Sequence, residues 1–124
     1  MITKNISRSE LACQCGCGFD SCDYETIQVV QTACNFFANK LGVEKVVLNI
    51  NCAARCETHN KIVGGEDNSL HLQARAIDHY ISGVTPKELA DYYRATYPNK
   101  YGIGEYKTFV HIDTRTNGPA RWRG

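Results

Sequence analysis

Between Tyr24 and Leu41 the apolar residues Ile27, Val30, Cys34, Phe37, Ala38 and Leu41 recur at three- and four-residue intervals, the period of a helix that buries one face. Asp23 is placed to cap its start and Gly42 to end it. Lys45–Ile50 (KVVLNI) is β-branched and apolar and reads as a buried strand. It delivers the chain to Asn51-Cys52-Ala53-Ala54-Arg55-Cys56, where residues just past a strand end are well placed for a site. Thr58–Asn68 is polar around Gly64-Gly65, which marks a loop with positive-φ positions. Ala74–Ile81 reads as a strand that presents Asp78 on one face and Ile77 to the core. Thr85-Pro86-Lys87-Glu88 is a helix start with Thr as N-cap and Glu at the capping-box position. Leu89, Tyr92, Tyr93 and Thr96 then share a face, and Pro98 ends that helix. Tyr101–Tyr106 reads as a strand loosened by glycine, and Phe109–Arg115 as another. On the latter, Phe109, His111, Asp113 and Arg115 share one face and Val110 and Ile112 the other.

Composition adds limits to this pattern. A chain of 124 residues with 43% hydrophobic and 22% charged residues is expected to be one globular domain, 1–124, with a cysteine-rich lead over 1–23. A formal charge of +1 with no Lys/Arg block argues against a nucleic-acid footprint. The opening residues lack the apolar core of a signal peptide and no run approaches spanning length, so we expect a monomer made in the cytosol with no membrane partner. Seven cysteines are many, and an odd number cannot all pair internally. Cys13, Cys15, Cys17 and Cys22 lie close together, Cys52 and Cys56 form a second local pair, and Cys34 stands apart. The spacings fit a disulfide cluster, a thiolate–metal knot stapling the N-terminus, or reduced, partly buried thiols.

The candidate chemistry sits in two His/Asp pairs. His71 and Asp78 are seven residues apart behind the glycine-bearing loop, and His111 and Asp113 lie on the later strand. The other histidines are His59 and His79. Three such ligands with one open position is the arrangement of a catalytic zinc. Seven residues of straight helix advance about 10.5 Å, whereas ligands sit about 2 Å from a metal, so the chain must bend between His71 and Asp78. The competing reading is a pair of hydrogen-bonded structural histidines.

Ser69-Leu70-His71 with Asp78, followed by GIGEYKTFVHIDTR over 102–115, resembles the zinc peptidase family of bacterial and phage D-Ala-D-Ala carboxypeptidases, dipeptidases and peptidoglycan endopeptidases. Asn51–Asn60 is similar to that family's strand-end segment with its arginine, and Val63–Ser69 to the loop before its first histidine. The resemblance covers Ile50 to Trp122, and Leu11–Cys17 less strongly. It implies an α+β fold of the hedgehog and D,D-peptidase type, a small antiparallel sheet with helices packed on one side. It implies that His71, Asp78 and His111 bind one catalytic zinc, that Arg55 holds a substrate carboxylate or polarises the scissile carbonyl, and that Ser69 lies in the substrate rim. Many members carry an acid three residues before the last histidine ligand, where this chain has Thr108. Two acids remain for proton transfer, Asp113 in the HisXaaAsp form of the phage-like branch and Glu105. Asp113 is preferred, and its alternative role is to support a zinc ligand. Gln73-Ala74 departs from the glycine that the family usually places between its histidine and aspartate. The expected activity is hydrolysis of peptidoglycan stems or cross-links, as a D,D-carboxypeptidase or endopeptidase. It would reach the cell wall after release at host cell lysis, as a phage endolysin, or as part of a virion. A second, structural metal at the cysteine cluster is one of the readings above. The rival function is a non-catalytic, zinc-containing wall-binding or structural module of the same fold.

Overall fold

A computed structural model describes residues 3–17, 23–55, 57–65, 69–71 and 75–124, without the side chains of 57–59. Cys22, Cys56, the His59 side chain and the Gln73-Ala74 step lie outside the described residues. A four-residue helix, α1 (Arg8–Leu11), opens with the Ser7 N–H donating to Glu10 Oε1 at 3.0 Å. The long helix α2 runs Tyr24–Leu41, with Thr26 N–H donating to the Asp23 carboxylate and Gly42 ending it at φ 70°. Its period-3.6 face is buried through Ile27, Val30, Cys34, Phe37 and Ala38, whereas Leu41, in the last turn, is half exposed.

Strand β1 (Leu48–Cys52) begins three residues later and ends two residues later than the apolar run suggests. Val47 is exposed. After α3 (Glu57–Ile62) come β2 (Ala76–Ile81), α4 (Pro86–Thr96), β3 (Gly102–Glu105), β4 (Val110–Asp113) and β5 (Ala120–Arg123). The α4 start is a complete capping box, with Glu88 N–H donating to Thr85 Oγ1 and Thr85 N–H to Glu88 Oε1, each at 3.1 Å. The strands form one sheet in the order β1-β2-β4-β3-β5. Its first four strands pair antiparallel and β5 runs parallel to β3, which makes the sheet mixed.

Period-2 alternation gives this sheet two unlike faces. Ile77, Ile81, Ile103, Val110 and Ile112 are at most 1% exposed and pack with Ile27, Val30, Phe37, Leu89 and Tyr93 from α2 and α4. The opposite face carries Asp78 opposite His111 and Ala76 opposite Asp113. The fold is therefore α+β, with the long helices on one face of the sheet and the chemistry on the other.

Candidate metal centre

His71 reaches the site from a turn. Its N–H donates to Ser69 Oγ at 3.2 Å, its carbonyl accepts from Arg55 N–H at 3.1 Å, and Arg75 N–H closes the return on Leu70 O at 3.0 Å. The chain thus doubles back between His71 and Asp78. Asp78 and His111 face each other directly across β2 and β4. One Asp78 oxygen lies 3.2 Å from His71 Nε2 and the other 2.8 Å from His111 Nδ1, and the two imidazole centroids are 5.3 Å apart.

The far side of each ring is held. His71 Nδ1 is 2.8 Å from the Ala53 carbonyl, and His111 Nε2 is 2.8 Å from Asp113 Oδ2. A carbonyl or carboxylate accepts only from N–H, so His71 Nδ1 and His111 Nε2 each carry a proton, and without a metal the inner nitrogens carry one as well and donate to Asp78; a metal would take the place of those inner protons while the outer ones keep both rings oriented. Ligands of a tetrahedral zinc at about 2 Å lie about 3.3 Å from one another. The Asp78 carboxylate stands 3.2 Å from His71 Nε2 and 2.8 Å from His111 Nδ1, close to that spacing, and Cys52, His71 and Asp78 each present a ligand atom within 4.8 Å of the other two, so this cluster can hold a divalent metal. Without one, the three groups bind each other. Burial acts against charge on all of them. Hydrogen bonds to Asp78 and Cys52 nonetheless raise His71 to about 10, and the two histidines hold Asp78 well below the usual carboxylate range.

Asp113 is fully buried. It accepts from Gly102 N–H, Arg115 N–H and Arg115 Nε on Oδ1, and from His111 Nε2 and Arg115 Nη2 on Oδ2. Burial favours its neutral form, but Arg115 and His111 hold it well below its ordinary pKa. Five donors fill the roughly four lone-pair directions of a carboxylate. Gly102 is required here, because a Cβ would stand 2.3 Å from Asp113 Oδ2. Glu105 is placed elsewhere. It is the cross-strand partner of Val110, so it points to the helix side, where Arg94 of α4 reaches it at 2.9 Å and Arg123 at 3.5 Å. Thr108 is exposed in the tight β3–β4 turn, which Tyr106 N–H closes on Phe109 O.

These groups line a cleft of about 940 Å³ whose wall includes Arg55, Ser69, Arg75, Arg115 and Trp122. Arg55 is aimed by Asn60 Oδ1 at 2.9 Å and Cys52 Sγ at 3.2 Å, and its Nε is buried with no partner among the described residues. Gly65 lets the loop lie against this pair, since a Cβ there would meet Asn60 Oδ1 at 2.1 Å. Gly64 supplies the positive φ, 75°.

Two site residues escaped the sequence reading. Cys52 sits opposite Asp78 and 3.7 Å from His71 Nδ1, where the β1–β2 register shift between Ile50 and Cys52 brings it. Burial raises its thiol, but His71 and Arg55 lower it further. Trp122 of β5 lies over Gly104, 5.1 Å from the His111 ring and 2.9 Å by its indole N–H from the Tyr106 hydroxyl. The only advance signal was the glycine alternation of β3. Gly102 and Gly104 are not loosening the strand; they make room for Asp113 and Trp122.

The family model described as Peptidase M15 matches residues 4–113. Neither a curated protein nor a solved structure matches the chain. The match spans α1 through β4 and takes in His71, Asp78 and His111, and the chain belongs to the peptidase M15 family, the family of the zinc D-Ala-D-Ala carboxypeptidases.

Proposed function

We propose that this peptidase is zinc-dependent and hydrolyses peptide bonds of peptidoglycan stems or cross-links. The observation that carries the reading is the convergence of His71 Nε2, the Asp78 carboxylate and His111 Nδ1 at a cleft floor, with the outer nitrogen of each ring already engaged. A zinc held there supplies Lewis acidity and a water of lowered pKa. Ala53 O keeps His71 Nε2 directed inward. Asp113, itself clamped by Arg115, keeps His111 oriented. Arg55 offers a guanidinium to the carboxylate or developing oxyanion of the substrate, and Ser69 holds the turn that presents His71. Of the two acids considered for proton transfer, Asp113 lies in the cleft and Glu105 on the other side of the sheet. The saturation of Asp113 favours a positioning role exerted through His111.

Purified protein incubated with peptidoglycan should release new amino groups, identified as muropeptides by mass spectrometry, and His71→Ala or His111→Ala should abolish that release. Unchanged release in both variants would end the enzyme reading, and zinc binding without any release would leave the non-catalytic module. Asp113→Asn should weaken zinc binding by about 10- to 100-fold, with activity recovered at high zinc. Glu105→Gln should leave kcat/KM near wild type; if it alone abolishes turnover, Glu105 is the proton-transfer acid.

A further inference from the structure

We propose that Cys13, Cys15 and Cys17 form a second metal site, a thiolate site separate from the His71–Asp78–His111 centre, which clamps the N-terminal lead against the exit of β1. The three sulfurs lie within 4.8 Å of one another, and those of Cys13 and Cys15 are 3.5 Å apart. Thiolates around a tetrahedral zinc stand about 3.8 Å apart, given a Zn–S bond of about 2.3 Å. The triplet therefore closes on an ion with shifts of an ångström or less. No disulfide joins these three cysteines to one another. The backbone between them is built as a turn, with Gly16 at φ 81° and its N–H donating to Cys13 O at 3.2 Å. A side chain at that φ would be strained, so glycine is what lets Cys15 and Cys17 return beside Cys13. Cys13 is buried while Cys15 and Cys17 are exposed, which anchors the site in the core yet leaves it open to an incoming ion. Thiols are weak hydrogen-bond partners and give little reason to gather three sulfurs in one turn. Soft-metal ligation does, with each thiol giving up its proton to the solvent on binding.

The site would act on the cleft through the backbone. Ala54 N–H donates to Leu11 O at 3.0 Å, and the Gln14 side-chain amide donates to Asn51 O. The lead is thus stitched to both sides of Ala53, whose carbonyl holds the His71 ring, and to the segment that carries Arg55. A metal that fixes residues 13–17 fixes the footing of those two groups.

The test uses the full chain reconstituted with zinc and, separately, with cobalt. Wild type should bind two equivalents of zinc. The double variant C15S/C17S, whose changes fall on exposed side chains, should bind one and keep its circular dichroism spectrum. His71→Ala should also bind one. The cobalt protein should show near-ultraviolet thiolate-to-cobalt charge transfer that persists in His71→Ala and in Cys52→Ser and is lost in C15S/C17S. Zinc content unchanged by C15S/C17S, or thiol titration showing these cysteines joined as a disulfide, would overturn the proposal. None of these readouts depends on hydrolysis, so a failure of the peptidase reading remains distinguishable from a failure of this site.

Discussion

Asp78 and His79 are neighbours in β2 with opposite surroundings, because a strand sends successive side chains to opposite faces. Asp78 meets the cleft. His79 is fully buried on the helix side, where Nδ1–H donates to Ile77 O at 3.0 Å and Nε2 accepts from the Tyr93 hydroxyl at 2.8 Å. Burial pushes its pKa down to about 4, so the unfolded chain, with an ordinary histidine near 6.5, binds more protons than the folded one between these values. Stability from this residue is full above about pH 6.5 and falls with pH toward 4, at roughly 1.4 kcal/mol per unit and about 3 kcal/mol in all. Urea denaturation from pH 7 to 4 should show this slope in wild type and a shallower one in His79→Asn; equal slopes would remove His79 as its source. A second prediction concerns Gly104, where a Cβ would stand 2.4 Å from Trp122 Nε1. Gly104→Ala should displace the indole, cost about 1–3 kcal/mol and shift the fluorescence of the chain's one tryptophan. An unchanged emission spectrum would show that the wall tolerates the methyl group. Both residues show what spacing leaves open: alternation separates the two faces, but only packing says which one is wet.

At the scale of elements, helices with local end signals were legible in detail. Asp23 and Gly42 bound α2, and Thr85 with Glu88 starts α4, because capping uses atoms a few residues apart and so is written in contiguous sequence. Thr85→Ala should therefore lower stability by about 1 kcal/mol and the melting temperature by roughly 4 °C, with peptidase activity per folded molecule unchanged, since α4 packs on the face away from the cleft. Reduced kcat/KM in that variant would mean that α4 is coupled to the site. Strands were less legible. The apolar run KVVLNI suggests a strand three residues early because β-branched composition marks burial, whereas β1 extends as far as β2 offers partners. The irregularity after Ile50 sets the phase of everything beyond it, which hid Cys52 from a reading based on strict alternation. β5 has no apolar run of its own and pairs through its backbone with β3, so its four residues gave no signal.

For the whole molecule, a metal bound at the proposed His71–Asp78–His111 centre would join a turn, β2 and β4 that are far apart in sequence. An ion that binds only the folded chain stabilises it by mass action, about 2.7 kcal/mol at a hundredfold excess over Kd. Chelation should accordingly lower the melting temperature and abolish hydrolysis, both restored by added zinc; a melting temperature indifferent to chelator would argue against metal at this centre. By itself the sequence determined the α+β class, the two long helices, the face on which His111 and Asp113 stand, and the ordered motifs that mark the family, because each is encoded by local period, local capping or residue identity in order. The tertiary structure decided how the pieces meet. It placed Ala53 O and Asp113 behind the two imidazoles, sent Glu105 to the helix side, brought Cys52 beside His71 and laid Trp122 over Gly104. Those outcomes depend on strand register and on contacts between residues tens of positions apart, which side-chain spacing along one chain does not specify.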